Sequence, residues 1–225
     1  MYHSVTRYEA DPYLVTVTPR RFEQQMDWLR RRGRRGVSMR ELLAARRAGS
    51  AAGLVGLTFD DGYADFAGNV APVLASHGFS ATLFPIAGRL GGDNEWDPDG
   101  PRKPLLTGPQ LAGLAGPGIE IGSHGMRHVR LASVSDDELV REVAGSRSLL
   151  RDISGQQVAG FCYPYGDLDS RVVAAVRRAG YEYGCAIWRS GLTGTYALPR
   201  TFVGERDTGP RLRAKAVRHR IGGLR

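Results

Sequence analysis

The chain alternates between short apolar runs and longer stretches in which apolar residues recur every three or four positions. This recurrence predicts a helix over 19–32, where Phe22, Met26 and Leu29 fall on one face. Further helices are predicted over 40–48, 64–77, 135–153 and 168–179. The apolar runs predict strands over 36–39, 53–59, 81–87, 119–123, 158–163, 183–187 and 198–203. A regular succession of strand and helix is typical of a parallel sheet.

Six or seven such units in 225 residues predict an α/β fold, namely an incomplete (β/α) barrel with about seven strands. An open doubly wound sheet is the alternative. The length and the absence of a low-complexity linker indicate a single domain over 1–225, ending in a basic tail over about 211–225. Ser135 is the predicted N-cap of its helix, with Glu138 completing a capping box.

The net charge of +8 comes from 31 Lys and Arg residues against 23 Asp and Glu residues. Many of the arginines lie in 30–35 and in 211–225. A solvated helix face and a basic C-terminus explain them more simply than an anionic partner such as a phosphate-bearing substrate. Because no aromatic residues interleave with the charges and no nucleic-acid motif occurs, we predict no nucleic-acid partner.

The two cysteines, Cys162 and Cys185, lie in apolar strand-like runs and do not form a disulfide framework. No apolar run approaches membrane-spanning length, which predicts no stable membrane insertion. The first residues lack the features of a signal peptide. With Met1 as the true start, the expected location is the cytoplasm.

Two adjacent carboxylates, Asp60 and Asp61, close the apolar strand over 53–59 in the segment TFDDG. Buried carboxylates need a cation or other partners, since an unpaired buried charge is costly. An Asp-Asp-Gly turn before a helix can equally be an N-cap, and this segment alone does not separate the two readings.

Two of the five histidines, His124 and His128, stand four residues apart in SHGMRH, directly after a predicted strand. Paired imidazoles at this spacing favour a divalent metal site, whereas a lone histidine is more often structural. The zinc-protease motif has a glutamate beside its first histidine as the base. Gly125 stands there in this chain, so a base must come from elsewhere.

A third segment, FCYPYGD over 161–167, also ends an apolar strand. Its proline and glycine fix a sharp turn that can aim a backbone N–H outward, although an ordinary strand-to-helix turn with buried tyrosines is the simpler interpretation. All three segments lie at the C-terminal ends of predicted strands, where α/β barrels build their active sites. One aspartate and two histidines leave coordination positions open, as in a catalytic metal site.

The motifs TFDDG, SHGMRH and YPYG, in this order, resemble the polysaccharide deacetylase family, carbohydrate esterase family four, over about 54–203. The resemblance implies a distorted (β/α) barrel with a divalent metal, commonly zinc, with cobalt, nickel or manganese as alternatives. It also implies that Asp61, His124 and His128 are the metal ligands. The implied chemistry is removal of an acetyl group from an N-acetylated sugar or glycoconjugate, or from a related amide.

The resemblance further implies that Asp60 is the catalytic base and that the backbone N–H of Tyr165 stabilises the oxyanion. Tyr163, Pro164 and Trp188 are candidate substrate-binding residues, and Trp96 is a second candidate pocket wall. For the tryptophans, core packing or loop anchoring is an equal alternative.

The chain departs from the family pattern at Cys162, where an arginine that orients the base is usual, and in having no carboxylate-rich fourth motif. Arg200 stands where a histidine usually serves as the general acid, and arginine does not release its proton. Arg200 is therefore expected to stabilise negative charge or hold a carboxylate such as Asp60. His3 could supply the acid if the N-terminus folds over the strand ends, or Asp60 could return the proton itself.

Three other functions stay open at this point. The same site could cleave an acetyl ester. Without a general acid, the domain could instead be a catalytically inactive barrel that binds carbohydrate. Two histidines and one carboxylate also form the iron site of oxygenases, which the paired aspartates disfavour.

Overall fold

A computed structural model describes residues 1–188, 191–192 and 194–221. Its strands are short and every pair of neighbouring strands is parallel. One sheet contains, in spatial order, β5 (Thr58–Asp61), β6 (Ala81–Pro85) and β7 (Ile119–Ile121); another contains β8 (Gly160–Cys162), β9 (Tyr183–Ala186) and β10 (Leu198–Pro199). Two pairs complete the set: β1 (Ser4–Val5) with β2 (Thr16–Val17), and β3 (Arg35–Val37) with β4 (Leu54–Gly56).

Helices separate most pairs of consecutive strands, as the alternating pattern predicted. They are α1 (Pro19–Arg31), α2 (Met39–Arg47), α3 (Ala71–Ser76), α4 (Gly108–Leu114), α5 (Asp136–Val140), α6 (Ser146–Ser154), α7 (Ser170–Arg178) and α8 (Gly209–Ile221). A π-helical turn, Phe66–Val70, leads into α3, and another, Arg141–Gly145, joins α5 to α6. None of the described helices has the length and apolar character needed to cross a membrane.

The apolar face of α1 packs on the first strands through a cluster of aromatic rings. Phe22 and Met26 are fully buried, as predicted from their spacing. The ring of Tyr2 stacks on Phe59 at 5.2 Å and meets Phe22 edge-on at 5.4 Å. Aromatic pairs at these separations add to the stability that burial provides. This cluster fixes the N-terminal segment against β5.

Backbone hydrogen bonds place the N-terminus beside the end of β5. The amide of Tyr2 donates to Thr58 at 2.9 Å, and the amide of Asp60 donates to Tyr2 at 3.0 Å. On the other side, Val203 donates to the carbonyl of Met1 at 3.0 Å. The segment therefore lies between β5 and the chain that follows β10, and the side chain of His3 lies near the two aspartates.

Three local predictions need correction. The strand predicted over 53–59 is two strands, because β4 pairs with β3 whereas β5 pairs with β6. The predicted basic tail is the helix α8 as far as Ile221, with residues 222–225 outside the described part. Ser135 does accept from the amide of Glu138, but the Glu138 carboxylate contacts Arg127 in place of completing a capping box.

Candidate metal centre and active site

The two aspartates of TFDDG are buried at the carboxyl end of β5. Asp60 is 2% exposed and Asp61 is 4% exposed. At Asp61 the backbone turns into the left-handed region, with φ of +69°, and Gly62 follows with φ of +81°. An added Cβ at Gly62 would lie 2.8 Å from Pro85, so only glycine fits there. This sharp turn directs the two adjacent carboxylates to different partners.

Asp61, His124 and His128 converge in a buried cluster whose potential ligand atoms lie within 4.8 Å of one another. Nε2 of His124 is 3.3 Å from Oδ1 of Asp61, and Nε2 of His128 is 3.6 Å from the same oxygen. That oxygen is buried and accepts no hydrogen bond from the described residues. A buried carboxylate oxygen without a donor is costly, so the arrangement calls for a cation.

The protonation of the histidines supports this conclusion. Nδ1 of His124 lies 2.8 Å from the backbone oxygen of Cys162, which can only accept. In the neutral ring Nδ1 therefore carries the proton, and the lone pair of Nε2 faces Asp61. Histidines that bind metal ions commonly donate their second ring N–H to a backbone carbonyl in this way. Burial lowers the pKa of His128 to about 3, so this ring is neutral near pH 7.

The donor set fits a divalent transition metal such as zinc, because it combines two imidazoles with one carboxylate. Burial lowers the pKa of His124, but Cys162 and Asp61 outweigh burial and raise it well above its usual value. A positive charge is thus favoured at this position, whether a proton or a metal ion provides it.

A second cluster, Asp60 with His124 and Cys162, is equally compact. Arg200 already neutralises that cluster.

Arg200 makes a bidentate ion pair with Asp60. Nη1 lies 2.7 Å from Oδ1 and Nη2 lies 2.8 Å from Oδ2, and both side chains are almost fully buried. The guanidinium also donates to Thr58 Oγ1, to the Ala186 carbonyl and to the sulfur of Cys162. Burial opposes ionisation of Asp60, but the charge and hydrogen bonds of Arg200 outweigh it and hold its pKa well below the usual range.

The aromatic candidates occupy different places. The Tyr165 ring lies 4.4 Å from the His128 ring, and Trp96 lies 4.8 Å from it. Tyr165 has a left-handed backbone, with φ of +57°, on the turn Pro164–Gly166.

The other two aromatic candidates do not contact the cluster. Tyr163 is fully buried and its hydroxyl donates to the carbonyl of Tyr196, so its side chain points away from His128 and its neighbours. The side chain of Trp188 is 70% exposed beyond the end of β9.

His3 and Asp97 also belong to the surroundings of the cluster. Nδ1 of His3 is buried without a partner among the described residues, and burial lowers the pKa of His3 although Asp61 and Asp60 act in the opposite direction. Burial, assisted by the charge of Asp61, raises the pKa of Asp97 to about 6. The sequence motifs gave no signal for Asp97, which lies in the loop that carries Trp96.

The model of the polysaccharide deacetylase family matches residues 48–184, which is more than half of the chain. The chain belongs to the polysaccharide deacetylase family. It is also 29% identical over 208 residues to the polysaccharide deacetylase homologue YxkH of Bacillus subtilis, covering 90% of this chain and 70% of that one. A poly-β-1,6-N-acetyl-D-glucosamine N-deacetylase of Staphylococcus aureus is 24% identical over 200 residues, covering 84% of this chain and 68% of its own length.

Solved structures with the same fold include deacetylases. The Streptococcus pyogenes deacetylase PplD, in complex with acetate, superposes with a TM-score of 0.80 at 24% identity, covering 96% of this chain and 95% of that one. IcaB from Ammonifex degensii gives a TM-score of 0.76 at 24% identity, covering 96% and 94%. The family member described here is a deacetylase, a hydrolase, and deacetylases of this family depend on a metal ion.

Proposed function

We propose that this deacetylase removes the acetyl group of an N-acetylated sugar, with Asp61, His124 and His128 holding a divalent metal ion and Asp60 serving as the base. The observation that carries the proposal is the buried, compact group of Asp61, His124 and His128 beside an aspartate that is already paired with an arginine. A bound divalent ion supplies Lewis acidity, which polarises a carbonyl group and makes water more acidic.

Asp60 accepts a proton from the attacking water as the new carbon–oxygen bond forms. It is suited to this role because Arg200 keeps it ionised and holds both carboxylate oxygens in a fixed plane. A base with a very low pKa is a weak proton acceptor. A metal ion held by Asp61, His124 and His128 would offset that weakness by making the water more acidic.

Cleavage of the carbon–nitrogen bond requires a proton on the departing amine. Arg200 cannot provide it, since a guanidinium paired with a carboxylate retains its protons. We propose that His3 relays to the amine the proton that Asp60 takes from the water, because the N-terminal segment pairs with Phe59 and brings this imidazole beside the aspartates. The remaining histidines outside the metal group have other partners: His77 contacts Asp27, and His219 contacts the hydroxyl of Thr201.

The acetyl group is expected to lie between the rings of Tyr165 and Trp96, which flank His128. The left-handed backbone at Tyr165 supports the use of its N–H as the donor to the developing oxyanion. Pro164 is buried at the start of this turn and restricts its backbone. Trp188, which is exposed at the end of β9, is a candidate platform for a neighbouring sugar ring.

We propose an N-acetylglucosamine-containing glycan as the substrate class, because the Staphylococcus aureus relative is a poly-β-1,6-N-acetyl-D-glucosamine N-deacetylase. Zinc is the proposed metal, with cobalt, nickel and manganese as alternatives that the same ligands accept.

We further propose that residues 1–225 form one domain and that its sheets form a distorted, incomplete barrel of about seven strands. Two isolated parallel bridges support this, from Tyr2 to Phe59 and from Ser123 to Phe161. The first bridge joins the N-terminal segment to β5, and the second joins the end of β7 to β8. The bonds of Met1 to Thr201 and Val203 supply the remaining connection.

Acetate release from N-acetylated chitooligosaccharides and from poly-β-1,6-N-acetylglucosamine tests this proposal. We expect the chelator-treated protein to be inactive, activity to return with Zn²⁺ or Co²⁺, and Asp60→Asn to abolish activity while metal binding persists. Activity that is indifferent to chelation would contradict the proposed metal group. Full activity of Asp60→Asn would contradict the assignment of the base.

A further inference from the structure

A buried glutamate from the helix α5–α6 holds the loop between the two histidine ligands. Glu142 is fully buried. Its Oε2 accepts from the backbone amides of Met126 at 2.8 Å and Arg127 at 3.1 Å, and its Oε1 accepts from Nε of Arg127 at 2.8 Å. Both amides belong to the segment that separates His124 from His128. Charge-assisted hydrogen bonds of this kind are among the strongest in proteins.

The other backbone groups of this loop have neutral partners. The carbonyls of Gly125 and Met126 accept from the amides of Ala87 and Gly88, at 3.0 Å and 2.9 Å. The amide of Gly125 donates to the hydroxyl of Ser123 at 3.2 Å. Glu142 thus provides the only charged acceptor for loop amides among the described residues. Glu142 also connects the loop to a helix, because it lies on the turn that joins α5 to α6.

Little free space surrounds the carboxylate of Glu142. Glu142 lies on the π-helical turn Arg141–Gly145, a wider turn that is frequent at functional sites. Gly125 has φ of +80°, and an added Cβ there would lie 3.2 Å from Oε2 of Glu142. The loop and the glutamate are therefore fitted to each other at close range.

The two histidines differ in what orients their rings. Nδ1 of His124 bonds to a backbone oxygen, whereas Nδ1 of His128 is buried without a partner among the described residues. The backbone of His128 has φ of +63°, in the left-handed region that residues other than glycine rarely adopt. The position of its Nε2 consequently depends on the loop backbone together with the flanking rings of Tyr165 and Trp96, because no hydrogen bond from the described residues holds the ring.

We propose that Glu142 is a positioning residue that sets the metal affinity by holding the histidine loop in its binding conformation. This inference rests on the proposed metal ligands. Partners outside the ligand set generally change metal affinity by about 10- to 100-fold when removed. The predicted defect is in binding of the metal and precedes any effect on the chemical step.

The test is calorimetric titration of chelator-treated protein with Zn²⁺ and with Co²⁺, together with the visible spectrum of the Co²⁺ form. Glu142→Gln and Glu142→Ala are expected to weaken binding about 10- to 100-fold and to alter the Co²⁺ spectrum. Gly125→Ala approaches the same contact from the loop side and is expected to weaken binding as well. If Glu142→Ala does not fold, Glu142→Gln and Gly125→Ala decide the question.

Glu138→Gln is the matched control, since Glu138 contacts the side chain of Arg127 but none of the loop amides. Glu120→Gln is a second control, because Glu120 is a buried glutamate bonded to Thr82 and Tyr183 away from the loop. Both control variants are expected to bind Zn²⁺ and Co²⁺ with the same affinity as the unchanged protein. Equal affinity of Glu142→Gln, Gly125→Ala and the unchanged protein would overturn this inference alone. Absence of metal binding by the unchanged protein would overturn the proposed metal group as well.

Discussion

Arg200 and Asp60 are joined by two parallel hydrogen bonds, of 2.7 Å and 2.8 Å, across the gap between the ends of β10 and β5. The sequence had left two roles open for Arg200, stabilising negative charge or holding a carboxylate, and the observed ion pair corresponds to the second. Because both groups are buried, removal of either leaves the other as an unpaired charge.

We expect Arg200→Gln to shift the acid limb of the kcat/KM profile to higher pH. Arg200 lowers the pKa of Asp60 against the opposing effect of burial, so without the guanidinium that pKa rises and the ionised base is lost at a higher pH. The unfolding free energy should fall by about 3–5 kcal/mol. Arg200→Lys keeps the charge without the bidentate geometry and should restore only part of both quantities. An unmoved acid limb in Arg200→Gln would contradict the assignment.

His3→Ala should lower kcat by about 10²- to 10⁴-fold with little change in KM, as expected for loss of a proton donor that binds no substrate in the ground state. Acetate release at saturating substrate measures it. His77→Asn, which changes the histidine that contacts Asp27 on the helical layer, is the matched control and should leave kcat unchanged. An unchanged kcat in His3→Ala would assign the return of the proton to Asp60 itself.

His128→Asn should abolish the stabilisation that Zn²⁺ confers while leaving the metal-free protein folded. Asparagine tolerates the left-handed backbone that this position requires, so the loop keeps its course. For the unchanged protein, ligand at 100 times Kd adds about 2.7 kcal/mol to the unfolding free energy. Thermal unfolding with and without Zn²⁺ measures the difference. A Zn²⁺-dependent gain of the same size in the variant would remove His128 from the ligand set.

Asp97→Asn should raise the midpoint temperature of the metal-free protein at pH 7–8 and leave it nearly unchanged at pH 4. The folded-state pKa of Asp97 is about 6, above the value of about 3.9 for an unfolded aspartate. The folded state therefore binds more protons between these values, and stability declines as the pH rises through them. Asparagine has no proton to lose. Equal midpoints at pH 8 would show that Asp97 is ionised at no cost to the fold.

The features predicted best from the sequence are those that depend on short local patterns, such as strand ends and paired ligands. The carboxylate pair and the two histidines follow apolar runs, and strand ends meet at one edge of a parallel sheet, so their convergence followed from the pattern. The place of His3 did not, because it depends on pairing between Tyr2 and Phe59, which are far apart in the chain. That possibility could only be stated as a condition on where the N-terminus lies.

Other features were hidden for different physical reasons. The run over 53–59 is apolar except for Thr58, although its two halves pair with different strands, and this change of partner does not alter the hydrophobic pattern. The helix α8 is rich in arginine and has no clear apolar stripe, so it resembled a tail. The burial of Tyr163 and the exposure of Trp188 depend on which face of each strand end points inward.

The left-handed backbones of Asp61, His128 and Tyr165 place this enzyme under a trade-off between stability and activity. Each such conformation costs about 1–3 kcal/mol in a residue other than glycine. Glycine at position 61 or 128 would relieve that cost and remove a proposed ligand. Selection for thermal stability alone would therefore tend to erode the site, and variants that survive a stability screen without a test of acetate release should be enriched in inactive proteins.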